Sequence, residues 1–238
     1  MLYYELPQLK HIFNPKTCVL SKGTDTSNEL IQESYINQSL HHYLEKAKKS
    51  IHENLEEWDI MKKYTNPYEF IHTGYDKCYN KGVSLKKPLS RAYYKMIEMI
   101  HFFDLFESKK YAAIQSFHLA EGPGGFIEAV CDYRKFKDDS YYGMTLEKES
   151  DQNIPGWRKS KRFLESNPNV IIEKGPKENG DLYDVDNYKY IASNFANNQF
   201  LVTADGGFDF SHNYNSQEYM MVRLLLSQVL YALTLQKQ

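Results

Sequence analysis

The chain has 238 residues, of which 42% are hydrophobic, and its formal net charge is −2. This length and composition allow a full buried core and exclude a chain that is disordered by default. The near-neutral charge excludes binding of nucleic acid through bulk positive charge, so any RNA contact must come from a local basic patch.

The three cysteines, Cys18, Cys78 and Cys131, lie far apart in the sequence. Their spacing offers neither a zinc motif nor a paired disulfide framework, and no H-E-x-x-H occurs, so we expect reduced thiols and no metal. Residues 1–10 lack a long apolar run, and no segment approaches the length of a membrane span. We therefore expect a cytoplasmic protein, with a nuclear location left open.

Residues 1–82 are expected to form a helical extension, and residues 83–238 a second domain. Within the extension, apolar residues recur at helical spacing over 28–64. Glycine and proline residues punctuate the joining segment, after which 89–106 is predicted to form one helix.

From residue 117 onward, short apolar runs alternate with helical segments. We predict strands at 117–120, 141–145, 170–173 and 200–204, and helices at 126–136, 156–165, 186–197 and 216–236. This alternation is typical of an α/β protein with a Rossmann-like, doubly wound sheet. Ligands of such sheets bind outside the carboxyl ends of the strands, where Glu121, Thr145 and Asp205 fall.

A glycine-rich segment, A-E-G-P-G-G-F at 120–126, joins the first predicted strand to a helix. Its glycines let a ligand approach the backbone, and we expect the first N–H groups of the helix to face that ligand. The spacing differs from the dinucleotide fingerprint G-x-G-x-x-G. Glu121 would repel a pyrophosphate but attract an ammonium group, which favours an amino-acid-bearing cofactor such as S-adenosylmethionine. A loop that only turns the chain is the alternative for this segment taken alone.

Asp205 ends the fourth predicted strand and precedes Gly206 and Gly207. A structural aspartate that caps the turn explains Asp205 as well as catalysis does, although the paired glycines favour a ligand passing close by. Lys95 lies on the first turns of the helix 89–106, on a face that also bears Arg91. Taken alone, Lys95 is explained by a solvated helix position.

Two further acids are candidates for contacts with a nucleoside. Glu147, after the second strand, could bind a ribose. Asp181, after Gly180, could bind an adenine amino group, with Leu182 against the ring face. A plain Gly-Asp turn explains Asp181 equally well.

Two basic clusters are candidates for contacts with RNA phosphates. The first contains Lys86, Lys87 and Arg91, and the second contains Arg158, Lys159, Lys161 and Arg162. Most charge runs are solvated faces, but the first cluster gains weight because it adjoins Lys95.

Four segments together resemble the FtsJ-like RNA ribose 2′-O-methyltransferases: S-R-A-Y-Y-K at 90–95, E-G-P-G-G-F at 121–126, G-M-T at 143–145 and T-A-D-G-G-F at 203–208. Within that group the chain looks most like the cap-specific mRNA enzymes of eukaryotes and large DNA viruses. The resemblance implies an S-adenosylmethionine-dependent enzyme acting on the capped 5′ end of mRNA. It also implies a capping enzyme as a candidate partner and, for a viral protein, a viral factory or virion as the location.

The resemblance also implies roles for individual residues. The family activates the ribose 2′-hydroxyl with a Lys-Asp-Lys-Glu tetrad, of which Lys95 matches the first lysine and Asp205 the aspartate. Positive charge beside the hydroxyl favours alkoxide character. The cofactor-binding residues that it implies are Glu121, Gly122, Pro123, Gly124, Gly125, Phe126, Thr145, Asp181 and Leu182.

The sequence departs from the family pattern near its end. No residue up to Gln238 matches the second lysine or the glutamate, and Lys237 is not assigned to that role. We therefore expect a C-terminally truncated version of such an enzyme that keeps most of its cofactor contacts. An inactive methyltransferase-like module that binds RNA or a partner protein is the alternative function, and an rRNA-directed enzyme is a third.

Overall fold

The computed structural model describes residues 37–65, 71, 83–147, 154, 156–207 and 217–237. Two compact units, Met1–Thr65 and Asn66–Gln238, divide the chain. The sequence predicts a domain boundary after residue 82. The segment directly before that boundary, 72–82, lies outside the described residues.

The first unit contains two helices, α1 at Gln38–Glu53 and α2 at Leu55–Thr65. α1 begins after Asn37 because the side-chain oxygen of Asn37 accepts a hydrogen bond from the N–H of Leu40 at 2.9 Å. The helical pattern predicted over 28–64 thus forms two helices from residue 38 onward, and residues 28–36 lie outside the described part.

The second unit alternates strands with helices along the chain. Its elements are α3 (Ala92–Phe102), β1 (Gln115–Leu119), α4 (Gly125–Arg134), β2 (Ser140–Met144), α5 (Lys161–Ser166), β3 (Val170–Glu173), α6 (Val185–Phe195), β4 (Leu201–Ala204) and α7 (Gln217–Leu235). The strands are parallel in the order β3-β2-β1-β4. The predicted α/β, Rossmann-like sheet is confirmed, and its order reverses at β1, where doubly wound sheets bind their ligands.

Two predicted helices are longer in the sequence analysis than in the structure. The segment 156–165 is helical only from Lys161, because residues 156–159 form a turn in which Gly156 adopts a φ of +49°. The segment 89–106 is helical only over Ala92–Phe102, and Asp104 beyond it has a φ of +48°. In both segments the apolar residues at helical spacing extend beyond the helix into an adjoining turn, which is why the predicted helices are too long.

Each face of the sheet buries its own apolar cluster. Met96 and Ile100 of α3 pack with Ile127 and Val130 of α4 on one face. On the other face, Phe117 and Leu119 of β1 pack against α6 and α7, through residues such as Ile191, Tyr231 and Leu235. The helices thus form a layer on each side of the sheet, and within the described ranges no helix is long and apolar enough to cross a membrane.

A buried ion pair anchors the amino-terminal edge of the sheet. Arg134 donates from Nε to Oδ2 of Asp139 at 2.6 Å and from Nη2 to Oδ1 at 2.8 Å, and the two side chains are 3% and 0% exposed. The same carboxylate accepts hydrogen bonds from the N–H of Ile114 and the hydroxyl of Tyr141. Burial acts to raise the pKa of Asp139, but the hydrogen bonds from Arg134, Tyr141 and Ile114 outweigh it and hold the pKa below its ordinary value.

We predict that Asp139→Ala lowers the free energy of unfolding by about 3–5 kcal/mol, because it leaves the Arg134 guanidinium buried without its counter-ion. Urea denaturation followed by circular dichroism measures the change. Because the folded-state pKa of Asp139 is lowered, its contribution is present near neutral pH and is lost as the pH falls through the acidic range.

The matched control is Asp138→Ala, which removes the exposed neighbouring carboxylate and should change the free energy of unfolding by no more than about 0.5 kcal/mol. Equal losses for the two variants would show that the buried pair does not anchor this edge.

Candidate active site

The carboxyl ends of β1 and β4 lie side by side. Leu119 is the register partner of Ala204, so the residues that follow each strand emerge at the same edge of the sheet. Gly206 lies against β1's exit, since a Cβ added at Gly206 would lie 2.9 Å from the Cβ of Ala120. A residue without a side chain is therefore needed for the two strand ends to approach this closely.

α3 brings Lys95 to this edge, where its ammonium group forms an ion pair with Oδ2 of Asp205. The two residues are 110 positions apart in sequence. Their side chains are 54% and 39% exposed, so solvent and a substrate can reach both. The structure thus brings together the two residues that the resemblance implies for catalysis.

A cleft of about 500 Å³ opens beside the ion pair. Its walls come from the start of α3, the glycine-rich turn, the turn after β4 and α7, and they include Arg91, Gly122 and Met221. The volume lies within the range of roughly 300–1,000 Å³ that is typical of small-molecule sites. The cleft is therefore large enough for a nucleoside-sized ligand.

Glu121 closes the glycine-rich turn onto α4. Its Oε1 accepts hydrogen bonds from the N–H groups of Phe126 at 2.7 Å and Ile127 at 3.0 Å. The expectation that the first N–H groups of this helix face a ligand is therefore wrong for Phe126 and Ile127, because Glu121 already satisfies them.

The carboxyl group of Glu121 is only 5% exposed. Burial raises its pKa to about 8, although the hydrogen bonds from Ile127 and Phe126 act in the opposite direction. The charge of Asp205 raises this pKa further, and that of Lys95 lowers it. The charges of both members of the ion pair beside the cleft therefore affect the pKa of Glu121.

Two glycines set how α4 starts and what it packs against. Gly124 adopts a φ of +109°, a region that favours glycine. A Cβ added at Gly125 would lie 2.2 Å from Oγ of Ser90, so the start of α4 touches the segment that leads into α3. The next residue, Phe126, is buried with its ring centre 5.8 Å from Nζ of Lys95. This packing fixes the position of Lys95 relative to the glycine-rich turn.

The ends of β2 and β3 form the second part of this edge. Thr145 is buried, and a Cβ added at Gly122 would lie 3.1 Å from its side chain. Gly180, with a φ of +61°, approaches so closely that an added Cβ would lie 1.9 Å from the carbonyl oxygen of Thr145. Thr145 is thus enclosed between the glycine-rich turn and the loop after β3.

The candidates for adenosine contacts have partners within the protein. Oδ1 of Asp181 accepts the N–H of Tyr183 at 2.8 Å, which is the turn that the sequence left open as an alternative. Leu182 is 8% exposed and packs in the cluster of Phe117 and Leu119. Oε2 of Glu147 lies 2.5 Å from Nζ of Lys174. One oxygen of Asp181 thus has a structural role, and Glu147 pairs with a residue that follows β3.

The members of the first basic cluster differ in their surroundings, since Lys86 contacts other residues of the protein whereas Lys87 and Arg91 are exposed. The ammonium of Lys86 lies 3.3 Å from Oε1 of Glu128, contacts Asp132 and lies 4.7 Å from the ring centre of Tyr93. These internal contacts differ from the RNA phosphates that the sequence suggests for Lys86. Lys87 is exposed, and Arg91 is exposed at the wall of the cleft.

In the second basic cluster, all four side chains are exposed. The guanidinium of Arg158 donates to the carbonyl oxygen of Ile154 at 2.5 Å. The cluster follows the turn after β2, and its members do not line the cleft beside Lys95. The structure therefore does not bring this cluster to the catalytic candidates.

His118 and Ser160 are among the buried polar residues near the site that were not identified from the sequence. His118 joins β1 to β4, with Nδ1 2.7 Å from Oγ1 of Thr203 and Nε2 2.8 Å from Oγ of Ser116. Burial lowers the pKa of His118 to about 3, so the ring is neutral. Ser160 is fully buried and donates to the carbonyl oxygen of Pro123. A polar residue within an apolar strand is the signal that could have identified His118, whereas nothing in the sequence distinguishes Ser160.

In the part of the chain that the structure describes, no group of three or more His, Cys, Asp or Glu residues could hold a metal ion. The described thiol, Cys131, is free and half-buried, and Cys18 and Cys78 lie outside the described residues.

Residues 88–238 match the family model of the FtsJ-like methyltransferases. This range contains all four sequence segments on which the resemblance is based, and it includes Lys95, the glycine-rich turn and Asp205. No curated protein matches the chain. The family match covers more than half of the sequence, and the chain therefore belongs to the FtsJ-like methyltransferases, a family that implies S-adenosylmethionine-dependent 2′-O-methylation of RNA.

Proposed function

We propose that this chain is an S-adenosylmethionine-dependent RNA 2′-O-ribose methyltransferase that acts on the capped 5′ end of mRNA. The observation that carries the proposal is the ion pair between Lys95 and Asp205 beside a cleft of about 500 Å³. Capped mRNA is proposed as the substrate because G-M-T at 143–145 and A-D-G-G-F at 204–208 resemble the corresponding segments of cap-specific enzymes.

The chemistry of the residues at this edge fits a cationic, amino-acid-bearing nucleoside. Both hydrogen bonds that Glu121 accepts within the described residues end on Oε1, so Oε2 can meet an ammonium group. Asp181 uses Oδ1 for the N–H of Tyr183, so Oδ2 can accept from an adenine amino group. S-adenosylmethionine, when bound, supplies an electrophilic methyl group.

Lys95 and Asp205 would act on the ribose hydroxyl. An alcohol is a poor nucleophile near neutral pH. An ammonium group beside its oxygen would stabilise the negative charge that develops as the proton passes to solvent, which reaches the exposed pair. Asp205 fixes where the ammonium of Lys95 lies, since the two side chains are directly paired. Holding the hydroxyl in one orientation at the cleft supplies a further part of the rate advantage.

Contacts with the RNA backbone would come from the basic residues that precede α3. Arg91 lines the cleft, and the exposed Lys87 lies four positions before it. Phosphate contacts of this kind position the chain without reading the base sequence. Lys86 would support this surface from within, through its ion pair with Glu128.

We predict that Lys95→Ala lowers methyl transfer to capped RNA by about 100-fold or more, because it removes the cation beside the reacting oxygen. Transfer of labelled methyl groups from S-adenosylmethionine is measured, and nuclease digestion identifies the 2′-O-methyl product. The dissociation constant of S-adenosylhomocysteine, measured by calorimetry, should change far less than the transfer rate, because Lys95 has the smallest of the named effects on the pKa of Glu121.

The matched control is Lys137→Ala, which removes an exposed lysine from the loop before β2, at the opposite edge of the sheet. It should leave both transfer and cofactor binding unchanged. Normal turnover by Lys95→Ala would remove Lys95 from the catalytic centre.

Three RNAs of one sequence separate the candidate substrates: capped, uncapped, and capped with a 2′-deoxy target nucleotide. Methylation of the first alone supports the proposal. Equal methylation of uncapped structured RNA would favour an rRNA-type substrate, and binding of capped RNA without any methyl transfer would favour a binding module.

We also predict that binding of S-adenosylhomocysteine near neutral pH releases a proton from Glu121. The buried carboxyl has a pKa of about 8 and is mostly protonated there, whereas an ammonium group binds its ionised form. Calorimetric titrations in buffers of different ionisation enthalpy measure the released proton. Affinity should rise as the pH approaches 8.

The matched variant is Glu121→Gln, which keeps an oxygen that can accept from Phe126 and Ile127 but cannot ionise. It should bind the ligand more weakly and release no proton, while its thermal unfolding stays close to that of the unmodified chain. Identical proton release by the two proteins would limit Glu121 to capping α4.

A further inference from the structure

Gln228 of α7 reaches the turn that follows β4. Its side-chain oxygen Oε1 accepts the N–H of Gly206 at 3.1 Å, and its Nε2 donates to the carbonyl oxygen of Leu224 at 3.1 Å. The residue is only 6% exposed. Because Nε2 is used within the helix, the amide group is oriented with its oxygen towards Gly206.

The hydrogen bond at Gly206 acts on Asp205 through the backbone. The N–H of Gly206 belongs to the same rigid peptide plane as the carbonyl group of Asp205. Fixing this plane restricts the backbone rotation of Asp205 and, with it, the direction in which its carboxylate leaves the chain. The orientation of the carboxylate then determines where the ammonium of Lys95 lies.

Close packing reinforces this contact. A Cβ added at Gly206 would lie 2.9 Å from Oε1 of Gln228 and 3.0 Å from Cδ2 of Leu224. At Gly207, by contrast, no atom of the described residues lies within 4 Å of an added Cβ. Within the described part of the chain, the turn is therefore held against α7 at Gly206.

A second anchor lies on the other side of Asp205. Oγ1 of Thr203 lies 2.7 Å from Nδ1 of the buried His118, which ties the end of β4 to β1. Asp205 thus stands between two fixed points, Thr203 and Gly206, while its own side chain is 39% exposed. Few neighbouring atoms pack against an exposed carboxylate. The position of the Asp205 carboxylate therefore depends on the hydrogen bonds at Thr203 and Gly206.

The choice of glutamine at this position is informative. Leu224, Tyr231 and Leu235 are the other buried residues of the same helix within its described side chains, and all three are hydrophobic or aromatic. Burying an amide in such surroundings costs free energy that its hydrogen bonds only offset. An apolar residue would pack there without that cost, so a role beyond packing explains the amide.

We propose that Gln228 is a positioning residue for methyl transfer, which holds the peptide between Asp205 and Gly206 and thereby places the Lys95 ammonium in the cleft. This inference rests on the proposed function, because it concerns the same ion pair. Gln228 is not among the described residues that line the cleft, so it would act through Asp205.

The test replaces Gln228 by methionine, which has a similar length but cannot accept the N–H of Gly206. We expect kcat to fall by about 10- to 100-fold, as misplacement of a reacting group does. KM for S-adenosylmethionine and the dissociation constant of S-adenosylhomocysteine should stay unchanged, and thermal stability should be retained. Gln228→Leu serves as a second variant and should show the same split between kcat and KM.

The matched control is Gln236→Met, at the residue that directly follows α7. Gln236 donates to the carbonyl oxygen of Phe200 at 3.1 Å, directly before β4 begins, so the control also removes one side-chain hydrogen bond to the β4 segment. It should leave kcat unchanged. Equal kcat for Gln228→Met and the unmodified chain would overturn the proposal.

A second readout does not depend on activity. The ¹⁵N signal of the Lys95 ammonium should change in Gln228→Met in the same direction as in Asp205→Asn, and it should stay unchanged in Gln236→Met. If the unmodified chain transfers no methyl groups, the proposed function fails while this signal still tests the positioning. An unchanged Lys95 signal in Gln228→Met would overturn the inference by itself.

Discussion

The parallel pairing of β1 with β4 is the constraint on which the candidate site depends. Its register sets Leu119 beside Ala204, so the glycine-rich turn and Asp205 must leave the sheet at neighbouring points. Each further requirement follows from this proximity. Glu121 is turned inward and caps α4, and Gly206 has to lack a side chain. His118 and Gln228 fix the end of β4, which carries the exposed charge of Asp205.

Much of this arrangement could be predicted from the sequence. The alternation of apolar runs with helical segments predicts the four strands, and the carboxyl-edge rule for parallel sheets places Glu121 and Asp205 together. The link between Lys95 and Asp205, 110 positions apart, is different, because periodicity says nothing about which turn of a helix meets a strand end. That link came from the combination of motifs, and the structure supplies the contact.

The remaining features escaped the sequence for identifiable physical reasons. In a sequence, a carboxylate that follows a strand looks the same whether it binds a cationic ligand or caps the next helix. The hydrogen bonds that Glu121 accepts from Phe126 and Ile127 were therefore not expected. Gln228 lies within an apolar helical pattern, and the sequence does not show that its side chain accepts the N–H of Gly206. The turn 156–159 was predicted as part of a helix because the sequence does not show that Gly156 adopts a φ of +49°.

The buried pair of Arg134 and Asp139 has a consequence for how such a protein can change. It lies at the amino-terminal edge of strands of four or five residues, so roughly 15 Å of sheet separates it from the cleft. At this distance two unit charges interact by only about 1 kcal/mol even at an effective dielectric constant of about 20, and the pair of Arg134 and Asp139 carries no net charge. Charges around the cleft can therefore be exchanged with little effect on the pair, so a change of substrate preference at the cleft would not require a change at this edge of the sheet.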